Sequence, residues 1–367
     1  MTLSDSFATL RPHIDEATAS SLARLLVRAG ASCRSEEFSE AVLASVRGGK
    51  RFRALMAHIG YSLGAATPLE DVSLPHLGAA LELYQASALV HDDIIDKADE
   101  RRGIPTPHRS LANHHASSSW IGSSRDFGAH AAILVGDFLF SAATAAADEQ
   151  ALRLDEERAR AFARRFADMH AEVALGQYLD IAAEQTPLDP ERSDVLNVSD
   201  ALEVALHKSA HYSVVHPAIL GAICGASTLD DGETLARSLE EILTPWGLAF
   251  QLRDDDLGVF GDPAVTGKPA GDDLREGKRT VLLALTWEAS SPAERSALTE
   301  VLGVAEASPE RLSAATRIVE ANGRAPHEAE IARLVADGHA ALEASSFDDD
   351  ARAMLRELCA ILTARRA

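Results

Sequence analysis

Apolar residues recur at i, i+3, i+4 and i+7 through most of this 367-residue chain, and that spacing constrains the fold more than any other feature. The stretches 18–30 (TASSLARLLVRAG), 76–97, 129–148, 156–183, 198–226, 233–260, 279–290 and 327–365 all carry it. No alternating apolar–polar run of useful length interrupts them. Ala dominates many segments while Val, Thr and aromatics are sparse, which favours helix over strand. The central stretches are apolar on most faces, as in helices that are buried. With no short repeat and no linker, the expectation is one all-α domain over 1–367. Residues 103–128, 184–197 and 261–278 read as long loops, which in a compact helical protein often carry function.

Charge narrows the function. Apolar residues make up 46% and formal net charge is −21. So acidic a surface repels nucleic acid and anionic lipid. It would also repel a phosphate substrate unless Lys, Arg or a divalent cation inverted the field locally. Cys33, Cys224 and Cys359 form no CxxC pair, which points away from a zinc or disulfide framework and toward a reduced, cytoplasmic setting. The start, MTLSDSFATL, has no basic n-region or long apolar stretch. No run approaches the ~18 apolar residues of a membrane span.

Two apolar helices end in aspartates. The first reads Leu89-Val90-His91-Asp92-Asp93-Ile94-Ile95-Asp96. Asp92 and Asp96 share a helix face, with Asp93 about 100° around. Like charges so placed are destabilising without a cation. Hard oxygen ligands of this kind suit Mg²⁺, which binds through a few carboxylates and substrate phosphates. Lys97, Arg101 and Arg102 follow, where a metal-bound phosphate would find further partners. The alternative is a solvated acidic helix end, which the preceding apolar run argues against.

The second reads Phe250-Gln251-Leu252-Arg253-Asp254-Asp255-Asp256. Asp254 and Asp255 are assigned to metal and Asp256 to a surface acidic patch. Two such ends suggest two walls of one cavity. Cations stand in short groups: Gly48-Gly49-Lys50-Arg51-Phe52-Arg53, then Lys208-Ser209, then Lys268 and Lys278 around the segment Gly267–Thr280. Singly each reads as a surface charge; together they supply the positive field that a diphosphate requires. His108, His114 and His115 read as exposed loop histidines.

These motifs resemble the trans-isoprenyl diphosphate synthase (polyprenyl synthetase) family, and within it geranylgeranyl diphosphate synthases. GGKRFR, HDDIIDKADERRG, GDFL, GQYLD, HKSA, FQLRDDD and GKPAGDDLREGKRT stand in the family's order across about 48–280. The resemblance implies long, mostly antiparallel helices around a deep central cavity, and a homodimer. It implies Mg²⁺, three ions per site with Mn²⁺ able to substitute, held by Asp92, Asp93 and Asp96 and by Asp254 and Asp255. Arg101 matches a residue contacting the allylic diphosphate. Lys50, Arg53, Gln85 and Arg102 match the isopentenyl diphosphate site, where His is common in place of Gln85. Lys208, Ser209, Gln251, Lys268 and, less closely, Lys278 match residues facing the allylic diphosphate and reacting carbons. Ser209 replaces a more usual Thr, and Ala54 a common Pro. The second motif usually ends in Asp where Gly258 stands. Asp256, about 160° around the helix from 258, is a poor substitute.

The implied reaction is 1'-4 condensation of isopentenyl diphosphate with an allylic prenyl diphosphate through an allylic carbocation. Product length is read upstream of Asp92. Ser87 and Ala88 are small, and Tyr84, ~12 Å along the axis from Asp92, is a candidate floor; the alternative is that it faces another helix and only packs. That predicts a C20 product, with C15 or C25 as alternatives. A class I terpene cyclase is the rival from another class; GGKRFR, Gln85 and Arg102, which would hold a second substrate, argue against it. A non-catalytic partner subunit is a second rival, opposed by the intact first motif.

Overall fold

The computed structural model describes residues 2–101, 103–261, 271–304 and 306–363. It divides into two compact units, Met1–Phe166 with Pro217–Leu235, and Ala167–His216 with Ala236–Ala367.

In the first unit, α1 (Leu3–Arg28) opens at Thr2, whose hydroxyl accepts from the Asp5 N–H while Asp5 answers the Thr2 backbone. It is far longer than the predicted 18–30. Pro12 sits inside it and weakened the sequence signal, yet Phe7, Leu10, Ile14, Leu22 and Leu26 form one buried stripe. Then come α2 (Glu36–Ser45), α3 (Phe52–Ala65) and α4 (Pro75–Ile95), the last with Pro at its first position. Helix α4 packs along α6 (Ser124–Ala151), with α1 and α3 also against it.

The predicted loop 103–128 is mostly ordered. Strands β1 (Glu100–Arg101) and β2 (Ile104–Pro105) form a small antiparallel hairpin, and α5 (Pro107–Ser117) packs on α6. Pro107 at the first helical position reads as a loop signal in sequence but is a helix start here. His115 is buried, not exposed, between the rings of Trp120 and Phe127. His108 and His114 are half-buried on the same helix. Helix α6 is, by length and composition alone, apolar enough to cross a membrane, a test that a core helix also passes. Its buried stripe includes Val135, Leu139 and Ala143, whereas Ile133, Leu134 and Phe140 are exposed.

Helix α7 (Glu156–Gln185) is followed by α8 (Val198–Ala205), a π-helical segment Leu206–Val215, α9 (His216–Gly225) and α10 (Leu229–Phe260). The predicted helix 198–226 is thus three pieces. The second unit continues with α11 (Asp272–Glu276), α12 (Val281–Ala289), α13 (Pro292–Thr299), α14 (Pro309–Asn322), α15 (Arg324–Ala344) and α16 (Asp349–Thr363). The predicted 327–365 is two helices, parted at Ser345. This unit's core gathers Leu252, Leu282, Trp287, Leu298, Val301 and Leu334. Trp287 is fully buried, a contribution of about 2–3 kcal/mol, and its Nε1 donates to Arg192 O at 2.9 Å. All three cysteines are free thiols.

Candidate active site

Helix α4 carries the first cluster because its apolar residues bury its length and its last turn turns acidic. Asp93 is buried, while Asp92 and Asp96 are half-buried. The Asp96 N–H closes the helix on Asp92 O at 2.8 Å. Lys97 then takes φ +56° and turns the chain, and the hairpin returns Arg101 to the cluster. Its guanidinium donates to Asp93 Oδ1 from Nε at 2.7 Å and from Nη2 at 2.6 Å, and to Asp92 Oδ2 at 3.3 Å. Thr106 Oγ1 pins the hairpin base to Ala98 O at 2.8 Å. One cation thus sits against two carboxylates, a charge-assisted arrangement. Asp93 and Arg101 also line a cavity of about 390 Å³, with Leu89, Val90, Leu111 and Arg47 on its walls. Arg47 drew no attention in the sequence. Arg102 lies outside the described residues.

The Gly pair makes a tight turn, with φ +70° at Gly48 and +98° at Gly49. Arg51 follows at φ +53° and is buried, its guanidinium on Asp15 Oδ1 (2.5 Å), Glu82 Oε2 (3.4 Å) and Val46 O (2.6 Å). It is an anchor for the turn. Lys50 is exposed beside it, and Arg53 and Gln85 are half-buried on α3 and α4.

Of the chain-length positions, Tyr84 is buried, its ring edge-on to Phe140 at 5.9 Å. Burial pushes its phenol well up, against a smaller opposing effect of Arg53. Ser87 Oγ donates to Gly136 O at 2.8 Å, and Ala88 is half-buried.

In the second unit, Lys208 and Ser209 lie on the π-helical segment, both half-buried. The Lys208 ammonium pairs with Asp180, the last residue of GQYLD. The Gly of that motif has a steric reason: a Cβ on Gly176 would lie 2.4 Å from Lys208 N, so α7 meets the π-helical backbone there.

At the end of α10, Asp254 is exposed and Asp255 buried, accepting from Gln251 Nε2 at 2.8 Å. Burial raises the Asp255 carboxyl well above the usual range, and Asp273 and Asp254 push it further. Asp273 is the carboxylate that sequence reasoning missed. A Cβ on Gly258 would lie 1.8 Å from Asp273 Oδ2. Lys278 Nζ lies 3.5 Å from Asp273 Oδ1 and 2.5 Å from Glu276 Oε2. Thr280 caps α12 through Leu283 N. Lys268 lies outside the described residues.

Asp256 is not the surface patch expected. It is 2% exposed, 3.7 Å from Arg324 and 3.9 Å from Arg253. Arg253 in turn pairs with Glu328. Asp256 thus lies beside an arginine pair.

The donors fit a hard divalent cation. Asp92, Asp93 and Asp96 in one unit, and Asp254, Asp255 and Asp273 in the other, offer only oxygen. Burial first, and then the neighbouring Asp273 and Asp254 charges, raise the Asp255 carboxyl.

Fold and donors together define an all-α protein with two groups of oxygen donors suited to a divalent metal. The profile of the polyprenyl synthetase family matches residues 35–319, and the chain belongs to that family: it is a trans-prenyltransferase. It is similar to geranylgeranyl pyrophosphate synthase from Corynebacterium glutamicum, whose crystal structure holds isoprenyl diphosphate and magnesium. Identity is 35% and TM-score 0.83, over 96% of this chain and 99% of that one. It is 32% identical to the geranylfarnesyl diphosphate synthase of Aeropyrum pernix, over 75% of this chain and 77% of the other. It is 30% identical to a (2E,6E)-farnesyl diphosphate synthase of Mycobacterium bovis, over 87% and 80%.

Proposed function

We propose that the chain condenses isopentenyl diphosphate with an allylic prenyl diphosphate to a C20 product, geranylgeranyl diphosphate. The observation that carries this reading is Arg101 held on both Asp92 and Asp93. That arrangement presents metal ligands and a diphosphate-binding cation at one point. In this reading the whole chain acts as one catalytic domain.

Asp92, Asp93 and Asp96 hold Mg²⁺, as do Asp254 and Asp255, with three ions in all and Mn²⁺ able to replace them. Arg101, Lys208, Ser209, Gln251, Lys268 and Lys278 engage the allylic diphosphate and the reacting carbons. Lys50, Arg53, Gln85 and Arg102 hold isopentenyl diphosphate. When bound, the metal would draw charge onto the leaving diphosphate. Arg101 is held in place by the buried Asp93 carboxylate, so its guanidinium is fixed before a phosphate arrives. The lysines stabilise the departing diphosphate, and the isopentenyl double bond attacks the allylic cation. Proton loss to the departing diphosphate ends the step. The apolar length of α4 keeps water from the cation.

In this reading Tyr84, whose ring packs edge-on to Phe140 of α6, is the floor that sets the C20 length. Relatives named for C15, C20 and C25 products keep the farnesyl and geranylfarnesyl readings as alternatives. The exposed Ile133, Leu134 and Phe140 of α6 support a homodimer, and the free thiols suit a cytoplasmic enzyme. The test is product analysis with Mg²⁺, isopentenyl diphosphate and dimethylallyl, geranyl or farnesyl diphosphate. A C20 diphosphate is expected. No elongated diphosphate from any starter overturns the reading, and a C15 or C25 end product replaces its last term.

A further inference from the structure

A second group of metal-ligating side chains lies outside the aspartate clusters. Three imidazoles of the segment 207–216 converge on one carboxylate of α7. Glu172 Oε1 lies 2.7 Å from His207 Nδ1 and 2.6 Å from His211 Nδ1, and Glu172 Oε2 lies 2.5 Å from His216 Nε2. One ligand atom each from Glu172, His211 and His216 lies within 4.8 Å of the others.

The π-helix makes this group possible. His207 and His216 are nine apart, about 2.5 turns of an α-helix, which would set them on opposite sides. A π-helix, at about 4.4 residues per turn, completes about two turns in nine residues and returns both to one face. Gly176, one turn after Glu172 on α7, lets that face come against the helix: a Cβ there would meet Lys208 N at 2.4 Å.

The donor chemistry differs from that of the aspartates. Two imidazole nitrogens with one carboxylate oxygen select a borderline transition ion, and Mg²⁺ prefers oxygen alone. A glutamate with two histidines, leaving a fourth position open, is an established zinc donor set. His216 is 4% exposed, so the site has a buried floor, while Glu172 and His211 are half-buried at its mouth.

We propose that Glu172, His211 and His216 form a transition-metal site of the zinc class, with its fourth position open. The ion clasps α7 to the segment that carries Lys208 and Ser209. It is a positioning site and does not touch substrate.

Cobalt(II) is the probe, added to chelator-stripped full-length protein in saturating Mg²⁺. The expected result is one equivalent of bound Co²⁺ with the intense visible d–d absorption of a four-coordinate ion, abolished by Zn²⁺. His211→Gln and His216→Ala should each weaken binding roughly tenfold or more. Asp92→Asn and Asp254→Asn should leave the spectrum and affinity unchanged. Melting gives a second readout that survives a poorly folding His216 variant: Zn²⁺ should raise the wild-type midpoint and not that of His211→Gln. The proposal is overturned if no four-coordinate spectrum forms. It is equally overturned if the spectrum persists in His211→Gln or is lost in Asp92→Asn.

Discussion

Asp273 Oδ2 occupies the space of a side chain at Gly258: a Cβ built there would lie only 1.8 Å away. The carboxylate missing at the end of the second motif is met by one from α11. Asp273 should therefore act with Asp254 and Asp255. Asp273→Asn is expected to weaken Mg²⁺ dependence roughly 10–100-fold, read from turnover against Mg²⁺ concentration. Gly258→Asp should not restore a ligand. It forces two carboxylates into one space and should cost about 1–3 kcal/mol in denaturant unfolding. A stable Gly258→Asp with tighter Mg²⁺ dependence would contradict this account.

Arg101 faces Asp92 and Asp93 in the first unit, so both ends of that contact are testable. Asp92→Ala is expected to abolish turnover. Arg101→Ala should lower kcat on the order of 10³-fold. Circular dichroism separates lost chemistry from lost fold. Near-normal kcat in Arg101→Ala would remove it from the site.

Tyr84→Ala should lengthen the product beyond C20. Chromatography of the dephosphorylated products is the measurement, and an unchanged chain length removes Tyr84 as the floor.

Asp256 is buried beside Arg253 and Arg324. Asp256→Ala should leave Mg²⁺ dependence nearly unchanged and lower stability by about 1–3 kcal/mol, because the largely enclosed Arg253 loses a partner. A turnover loss as large as that of Asp92→Ala would return Asp256 to the metal ligands.

His327 on α15 is 0% exposed, and burial pushes its imidazole from 6.5 down to about 4. Between those values the unfolded chain binds a proton that the folded chain does not. Its stabilising effect is complete above pH 6.5 and lost as pH falls toward 4. At about 1.4 kcal/mol per pH unit the loss is roughly 3 kcal/mol. Denaturant midpoints from pH 7 to 4.5 should show it, and His327→Phe should flatten that slope.

Sequence alone determined the all-α class, the aspartate-rich end of α4 and the family, because helical periodicity and contiguous motifs are local properties. Apolar spacing located α4, α6, α7 and α10 within a few residues of their ends. It missed the first half of α1 and misread α5 as loop, where prolines inside and at the start of helices mimic breaks. Tertiary structure decided what a side chain faces. Asp256 turned inward beside arginines, His115 went into an aromatic cluster, and Arg51 became an anchor for the turn after the Gly pair. Gly258 read in sequence as a lost ligand. In the fold it is the space that admits Asp273, fifteen residues further along the chain. The histidines of 207–216 meet only because the backbone there is π-helical, and no side-chain period announces that. Spacing along one helix is written in the chain; contact between elements depends on how their surfaces pack.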